Sequence, residues 1–118
     1  MPLIQNFSVA ANNDTDINFD VGPDEGASLV GSIIYWRVYE QEFGLRVAGV
    51  PAILEKYTDN GLQVTDPDLG KFIIELDKED TMNMLRNYFH EATIVDENGN
   101  TVTVTQGIMT VLNTELRL

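Results

Sequence analysis

The 118-residue chain has no cysteine, a single histidine, a single tryptophan, four prolines and only seven basic side chains. Without cysteine there is no disulfide framework, thiolate zinc site, iron–sulfur cluster or cysteine nucleophile. A zinc centre would have to be completed by carboxylates around one histidine, a donor set that zinc sites rarely use. No apolar run approaches the roughly 20 residues of a membrane helix. The start, Met1-Pro2-Leu3-Ile4-Gln5, lacks the basic and apolar stretches of a signal peptide, so a soluble protein made inside the cell is expected. The seven bases stand against 19 acids, a formal net charge of −12. Such a chain repels phosphate backbones and anionic lipid, and no basic patch offsets this, so neither nucleic acid nor membrane is an expected partner.

What is present is alternation. Asp16-Ile17-Asn18-Phe19-Asp20-Val21 puts every second residue on an apolar face, the period of a strand with one wet side. Leu3 to Val9 and Lys71 to Leu76 read the same way. Ile33 to Tyr39 is β-branched and aromatic enough for a central strand, with Ile34, Trp36 and Val38 on one face and Tyr35, Arg37 and Tyr39 on the other. Gln41 to Pro51 reads as a loop, Asp59-Asn60-Gly61 and Asp66 to Gly70 as turns, and Asp77 to Leu85 as a helix of two turns at most opened by an Asp cap. Arg86 to Val95 and Thr101 to Leu112 form a hairpin around Asn98-Gly99, the pair favoured in two-residue turns, with a bulge expected at Gly107. Seven or eight short strands with one helical corner predict an all-β fold. The expected architecture is a single immunoglobulin-like antiparallel two-sheet sandwich over residues 1–118, with Trp36 as its central filler and Tyr88 at the corner.

Constellations for chemistry are sparse. Asp14, Asp16, Asn18, Asp20 and Glu25 fall at positions 1, 3, 5, 7 and 12 of a calcium loop, but Phe19 stands where the sharp turn needs glycine. Converging acidic loops with Asp24, Glu25, Asp66 and Asp68 would offer calcium a looser site; otherwise no cofactor is expected. His90 has no nucleophile motif beside it and reads as a sheet histidine, and no nucleotide-binding glycine pattern occurs. The expectation is that the protein is not an enzyme. Tyr35, Arg37 and Tyr39 either cover the sheet exterior or form an interface, since aromatics with arginine are the composition of binding hot spots. Leu3, Ile4, Leu116 and Leu118 make the terminal segments 1–6 and 113–118 candidates for docking, for example by strand addition to a neighbour.

Taken together, Ile34-x-Trp36-Arg37, Leu54-Glu55-Lys56, Asn60-Gly61-Leu62-Gln63-Val64-Thr65-Asp66, Gly70-Lys71-Phe72-Ile73-Ile74-Glu75-Leu76, Asp80-Thr81, Tyr88-Phe89-His90-Glu91-Ala92, Asp96-x-x-Gly99-Asn100-x-Val102-Thr103-Val104 and Gly107-x-x-Thr110-Val111 form a pattern over roughly residues 30 to 112. It resembles a group of small proteins encoded among the virion genes of tailed bacteriophages and, more distantly, the N-terminal domain of phage baseplate upper proteins. The resemblance implies an Ig-like virion structural protein, made in the bacterial cytoplasm, without catalytic residues. It implies a capsid decoration or head/neck accessory role, multimeric in the particle, with the major capsid protein or neck or tail proteins as partners. A tail or baseplate position and a carbohydrate- or receptor-binding adhesin domain are the alternatives. The absence of a fibre region after Leu118 favours a stand-alone piece.

Overall fold

The computed structural model describes residues 3–11, 13–21, 31–84 and 86–112. Its elements are β1 (Leu3–Ile4), β2 (Phe7–Ala10), β3 (Thr15–Asp20), β4 (Ile33–Tyr39), β5 (Gln41–Glu42), β6 (Leu45–Arg46), β7 (Leu54–Thr58), β8 (Gly61–Asp66), β9 (Lys71–Leu76), α1 (Lys78–Thr81), β10 (Asn87–Val95) and β11 (Thr101–Leu112). The described residues are therefore all-β apart from one helical turn. The main sheet runs β1-β11-β10-β4-β7-β8-β9-β3, with β2 also on β11, while β5 and β6 form a separate hairpin.

Alternation is translated faithfully into burial. On β3, Ile17 and Phe19 are buried while Asp16, Asn18 and Asp20 face water. On β4, Ile34, Trp36 and Val38 are each 0% exposed. These residues meet across the molecule: the Phe19 ring lies 6.5 Å from Trp36 and 5.8 Å from His90, centroid to centroid, although β3 stands at the far end of the strand order from β4 and β10. The sheet is thus curled so that its ends face each other over one apolar seam. Val9, Leu62, Phe72, Ile74, Ile94, Val104 and Met109 complete that core.

The expected purely antiparallel arrangement is corrected. β1 and β2 both pair parallel with β11, and β7 touches β8 in parallel register at two rungs, Tyr57 opposite Gly61 and Thr58 opposite Leu62. A two-residue connection is too short for a true parallel ladder. Those rungs lie at a corner, where the backbone turns through Asp59 (φ 68°) and Gly61 (φ 84°).

Three local expectations also change. The helix is a single turn, Lys78–Thr81, started by an Asp77 N–H bond to Asp80 Oδ2 of 2.8 Å; so short a segment gains little helical stability of its own, and Met84, 7% exposed, is drawn into the core directly after it. The β10–β11 connection is a three-residue loop, not a two-residue turn: Asp96 N–H bonds Asn100 O, Gly99 N–H bonds Asp96 O, and of the Asn98-Gly99 pair only Gly99 has positive φ. Such loops combine an ordinary turn with one left-handed residue, and Asp96 Oδ1 fixes it by accepting from the N–H groups of Asn98 and Asn100. These bonds, with that of the Asn100 side chain, hold the Asp96 carboxyl below the usual range.

The bulge lies near Val104, where Ala92 pairs with Thr105 but Thr93 with Thr103. It switches the buried parity from Val104 to Thr105, Met109 and Val111. Gly107 stays in register opposite His90. Its lack of a side chain serves another purpose: a Cβ there would lie 2.2 Å from Gln5 O, so glycine is what admits the N-terminal segment to β11.

Candidate interaction surface

The outer face of β4 carries Ile33, Tyr35 and Arg37, and its neighbours stand opposite in register. Tyr35 pairs with Tyr57 and Arg37 with Glu55 across β7, and Arg37 pairs with Glu91 across β10. Directly opposed aromatic and opposite-charge pairs are the favourable units of an antiparallel sheet. Tyr35 and Tyr57 have ring centroids 5.9 Å apart, the Arg37 guanidinium sits 4.9 Å over the Tyr35 ring, and Arg37 Nε donates to Glu55 Oε2 at 2.5 Å. Burial works against the Arg37 charge, and the Glu55 carboxylate together with Tyr39 more than offsets it, so the guanidinium is held above its ordinary range. Of the expected interface residues, the structure brings Tyr35 and Arg37 together here.

Tyr39 departs from that expectation. It lies on the same face of β4 but is only 7% exposed. Its ring is covered by the Arg46 guanidinium at 4.7 Å and flanked by Phe89 at 6.5 Å. Tyr39 is consequently the pedestal of the neighbouring hairpin, not contact surface. Leu3 and Ile4 keep exposed side chains, 37% and 65%, while their backbone is already laid along β11. Leu116 and Leu118 lie outside the described residues.

Sequence reasoning missed the β5–β6 hairpin, read as loop. Phe43 at its tip is 95% exposed and Leu45 66%. Arg46 fastens its base, bonding Glu91 Oε1 at 3.0 Å from a position over Tyr39. Gly44 N–H bonds Gln41 Oε1 at 2.8 Å across the turn. Strands of two residues each are too short for alternation to register; the available signal was Phe43-Gly44, a residue-plus-glycine pair between the two-residue flanks Gln41-Glu42 and Leu45-Arg46. Next to the hairpin, Ile53 is 44% exposed and lines an open depression of about 610 Å³ with Glu40, Met84, Arg86 and Tyr88. Arg86 is itself engaged by Glu40 at 2.6 Å.

The remaining chemistry-bearing residues are occupied structurally. His90 is fully buried, and the Trp36 indole N–H donates to its Nδ1 at 3.2 Å. Indole nitrogen can only donate, so Nδ1 must be the bare acceptor and the proton sits on Nε2, which donates to Gln5 O at 2.6 Å. Desolvation lowers the His90 pKa to about 4, with the Gln5 carbonyl acting in the opposite sense. Thr105 Oγ1 reads the same segment, 2.6 Å from Gln5 Oε1 and 3.2 Å from Leu3 O. Asn6 Oδ1 accepts from Ile108 N–H.

Asp66 Oδ1 is used by the turn, accepting from Leu69 N–H, and Asp24 and Glu25 lie outside the described residues. Asp16, Asn18 and Asp20 point outward from an extended strand, which cannot wrap an ion as a calcium loop does. Among the described residues no three His, Asp or Glu side chains are placed to share a metal.

No protein-family model matches the chain, and no curated protein matches it. Among solved structures, the crystal structure of CopC from Methylosinus trichosporium OB3b is similar with a TM-score of 0.47 at 13% identity, covering 96% of this chain and 89% of that one. A likeness of that size carries no argument about fold family or function.

Proposed function

We propose that this protein is a non-catalytic structural module of a tailed-bacteriophage virion, an Ig-like sandwich that docks on other virion proteins. In this reading β3, β9 and β8 form one layer and β7, β4, β10 and β11 the other, with β1 and β2 along the β11 edge. The corner at Asp59 to Gly61 and the packing of Phe19 on Trp36 support that assignment. The proposed placement is on the head or neck, with the major capsid protein or neck proteins as partners, many copies per particle and no metal or cofactor. The single histidine has both ring nitrogens engaged in the interior, so it is not itself free to act as a general base.

The observation that carries the docking role is an asymmetry of exposed apolar surface. Ile33, Phe43, Leu45, Ile53 and Tyr57 are all exposed large hydrophobics on β4, β7 and the adjoining hairpin segment. Among the described residues, β3, β8 and β9 expose none along their strands, and the turn joining β8 to β9 exposes Leu69 alone. Single exposed apolar residues are ordinary, but their concentration on one side marks an interaction surface.

Mass spectrometry of purified particles from a tailed phage that carries this gene tests the reading. The expected result is stoichiometric recovery of the chain with the particle, and gold-labelled imaging then separates head or neck from tail or baseplate. Recovery only in the soluble lysate fraction would overturn it.

A further inference from the structure

We infer that Phe43 is the plug of a prong-and-socket contact, which the β5–β6 hairpin inserts into an apolar socket with a cationic rim on another protein of the particle. The inference rests on the virion reading above and specifies its partner.

Glu42 pairs with Leu45, leaving Phe43 and Gly44 as a two-residue loop, and both have positive φ, 56° and 81°. Turns of this kind favour Asn or Asp before Gly, because the left-handed region crowds Cβ and only short polar side chains compensate locally. The other non-glycine residue at positive φ among those described is an aspartate, Asp59, which suits the conformation. Phe43 does not. It gains nothing from the core either, since it is 95% exposed. A bulky aromatic that serves neither the turn nor the interior is an outlier whose explanation lies outside the chain, and backbone strain of this kind collects at functional sites.

The mounting is rigid. Arg46 is held between Glu91 and the Tyr39 ring, and Val47 N–H bonds Glu40 O at the base of the hairpin. A backbone braced in this way has little conformational freedom left to lose on binding, which favours the residue at its tip as an anchor.

Charge selects the occupant. The three arginines on this side, Arg37, Arg46 and Arg86, each already hold a glutamate, whereas Glu42, exposed beside the prong, forms no ion pair among the described residues. The whole chain carries −12. Two copies would repel, and so would an anionic membrane, while a socket rimmed by Lys or Arg would be attracted and oriented.

The test uses the full chain with Phe43→Asn, which suits the turn, and Glu42→Lys. Phe43→Asn is expected to melt no lower than wild type, yet to reduce copies per purified particle by about tenfold or more, the scale of a lost aromatic anchor. Glu42→Lys is expected to reduce them by a few-fold, a loss that shrinks at high salt. Wild type present in particles with Phe43→Asn present at the same level would overturn the prong and leave the virion reading intact. Wild type absent from particles would overturn the virion reading, and the prong with it. Concentration-dependent dimers in ultracentrifugation, or binding to phosphatidylcholine vesicles, either one abolished by Phe43→Asn, would overturn the choice of a heterologous protein partner.

Discussion

The two faces of β4 divide labour along one backbone. Inward, Ile34, Trp36 and Val38 are wholly buried and bind the halves of the curled sheet together. Outward, Ile33 is 46% exposed, and Tyr35 and Arg37 are half-buried among cross-strand partners. The same contrast holds for the molecule: packing and desolvated polar bonds lie inside, while the outer face carries exposed apolar groups and screened ion pairs. Because parity separates the two, changes inside should cost stability and changes outside should cost recognition.

The largest break is Trp36→Ala. It removes the biggest buried side chain and leaves His90 Nδ1 without its donor. A loss of about 3 to 5 kcal/mol is expected against a total of roughly 5 to 15, enough to prevent cooperative folding in many small domains. A cooperative thermal transition at the wild-type temperature would contradict the placement.

Acid should weaken the inside selectively. His90 titrates at about 4 in the fold against 6.5 when free. Between those values the unfolded chain binds more protons, so stability rises with pH there: the contribution is fully present above about pH 6.5 and lost as pH falls through 4, up to about 3 kcal/mol in all. A protonated ring would also point an N–H at the Trp36 indole N–H. Urea midpoints taken from pH 7.5 to 4 should fall for wild type, and His90→Gln should flatten that slope whatever its own stability. Equal slopes in the two proteins would remove His90 as the cause.

Gly107→Ala sharpens the account of the β11 edge. The new Cβ would collide with Gln5 O at 2.2 Å and approach Asn6 Oδ1 at 2.7 Å. Overpacking of this kind costs about 1 to 3 kcal/mol, and here residues 3–6 can yield. Faster hydrogen exchange at the Gln5 amide, which bonds Gln106 O, with the transition midpoint lowered, is the expected result.

The smallest effect belongs outside. Arg37 and Glu55 side chains are 33% and 41% exposed, so Glu55→Gln should cost less than about 1 kcal/mol in denaturant titrations. A larger loss would mean that the outer face also supports the fold.

Much of the interior was legible. Strict alternation on β3 and looser alternation on β9 located Ile17, Phe19, Phe72 and Ile74 on the buried side, and the β-branched and aromatic run of β4 put Ile34 and Trp36 on one face, because strand parity is written in adjacent residues. The turns at Asp59 to Gly61 and Asp66 to Gly70 were legible from residue types that tolerate them. The candidate surface was half legible: Tyr35 and Arg37 meet on it, Tyr39 is covered by Arg46, and Phe43 came from a segment too short to show a pattern. The bulge was displaced from Gly107 because a glycine in a strand signals either a bulge or a close approach, and only the neighbouring backbone of Gln5 and Asn6 distinguishes them.

By itself, then, the sequence determined the all-β character, the side of each long strand that would be dry, the turns and the excess of negative charge, since all of these depend on residue type and short-range order. The tertiary structure decided which strands became neighbours. It set β1 and β2 parallel to β11, closed the indole–imidazole bond between residues 54 apart and the imidazole–carbonyl bond between residues 85 apart, and left Phe43 outside. Alternation states that a face is buried but not what buries it, and that choice is made by shape and hydrogen-bond satisfaction among groups distant in the chain.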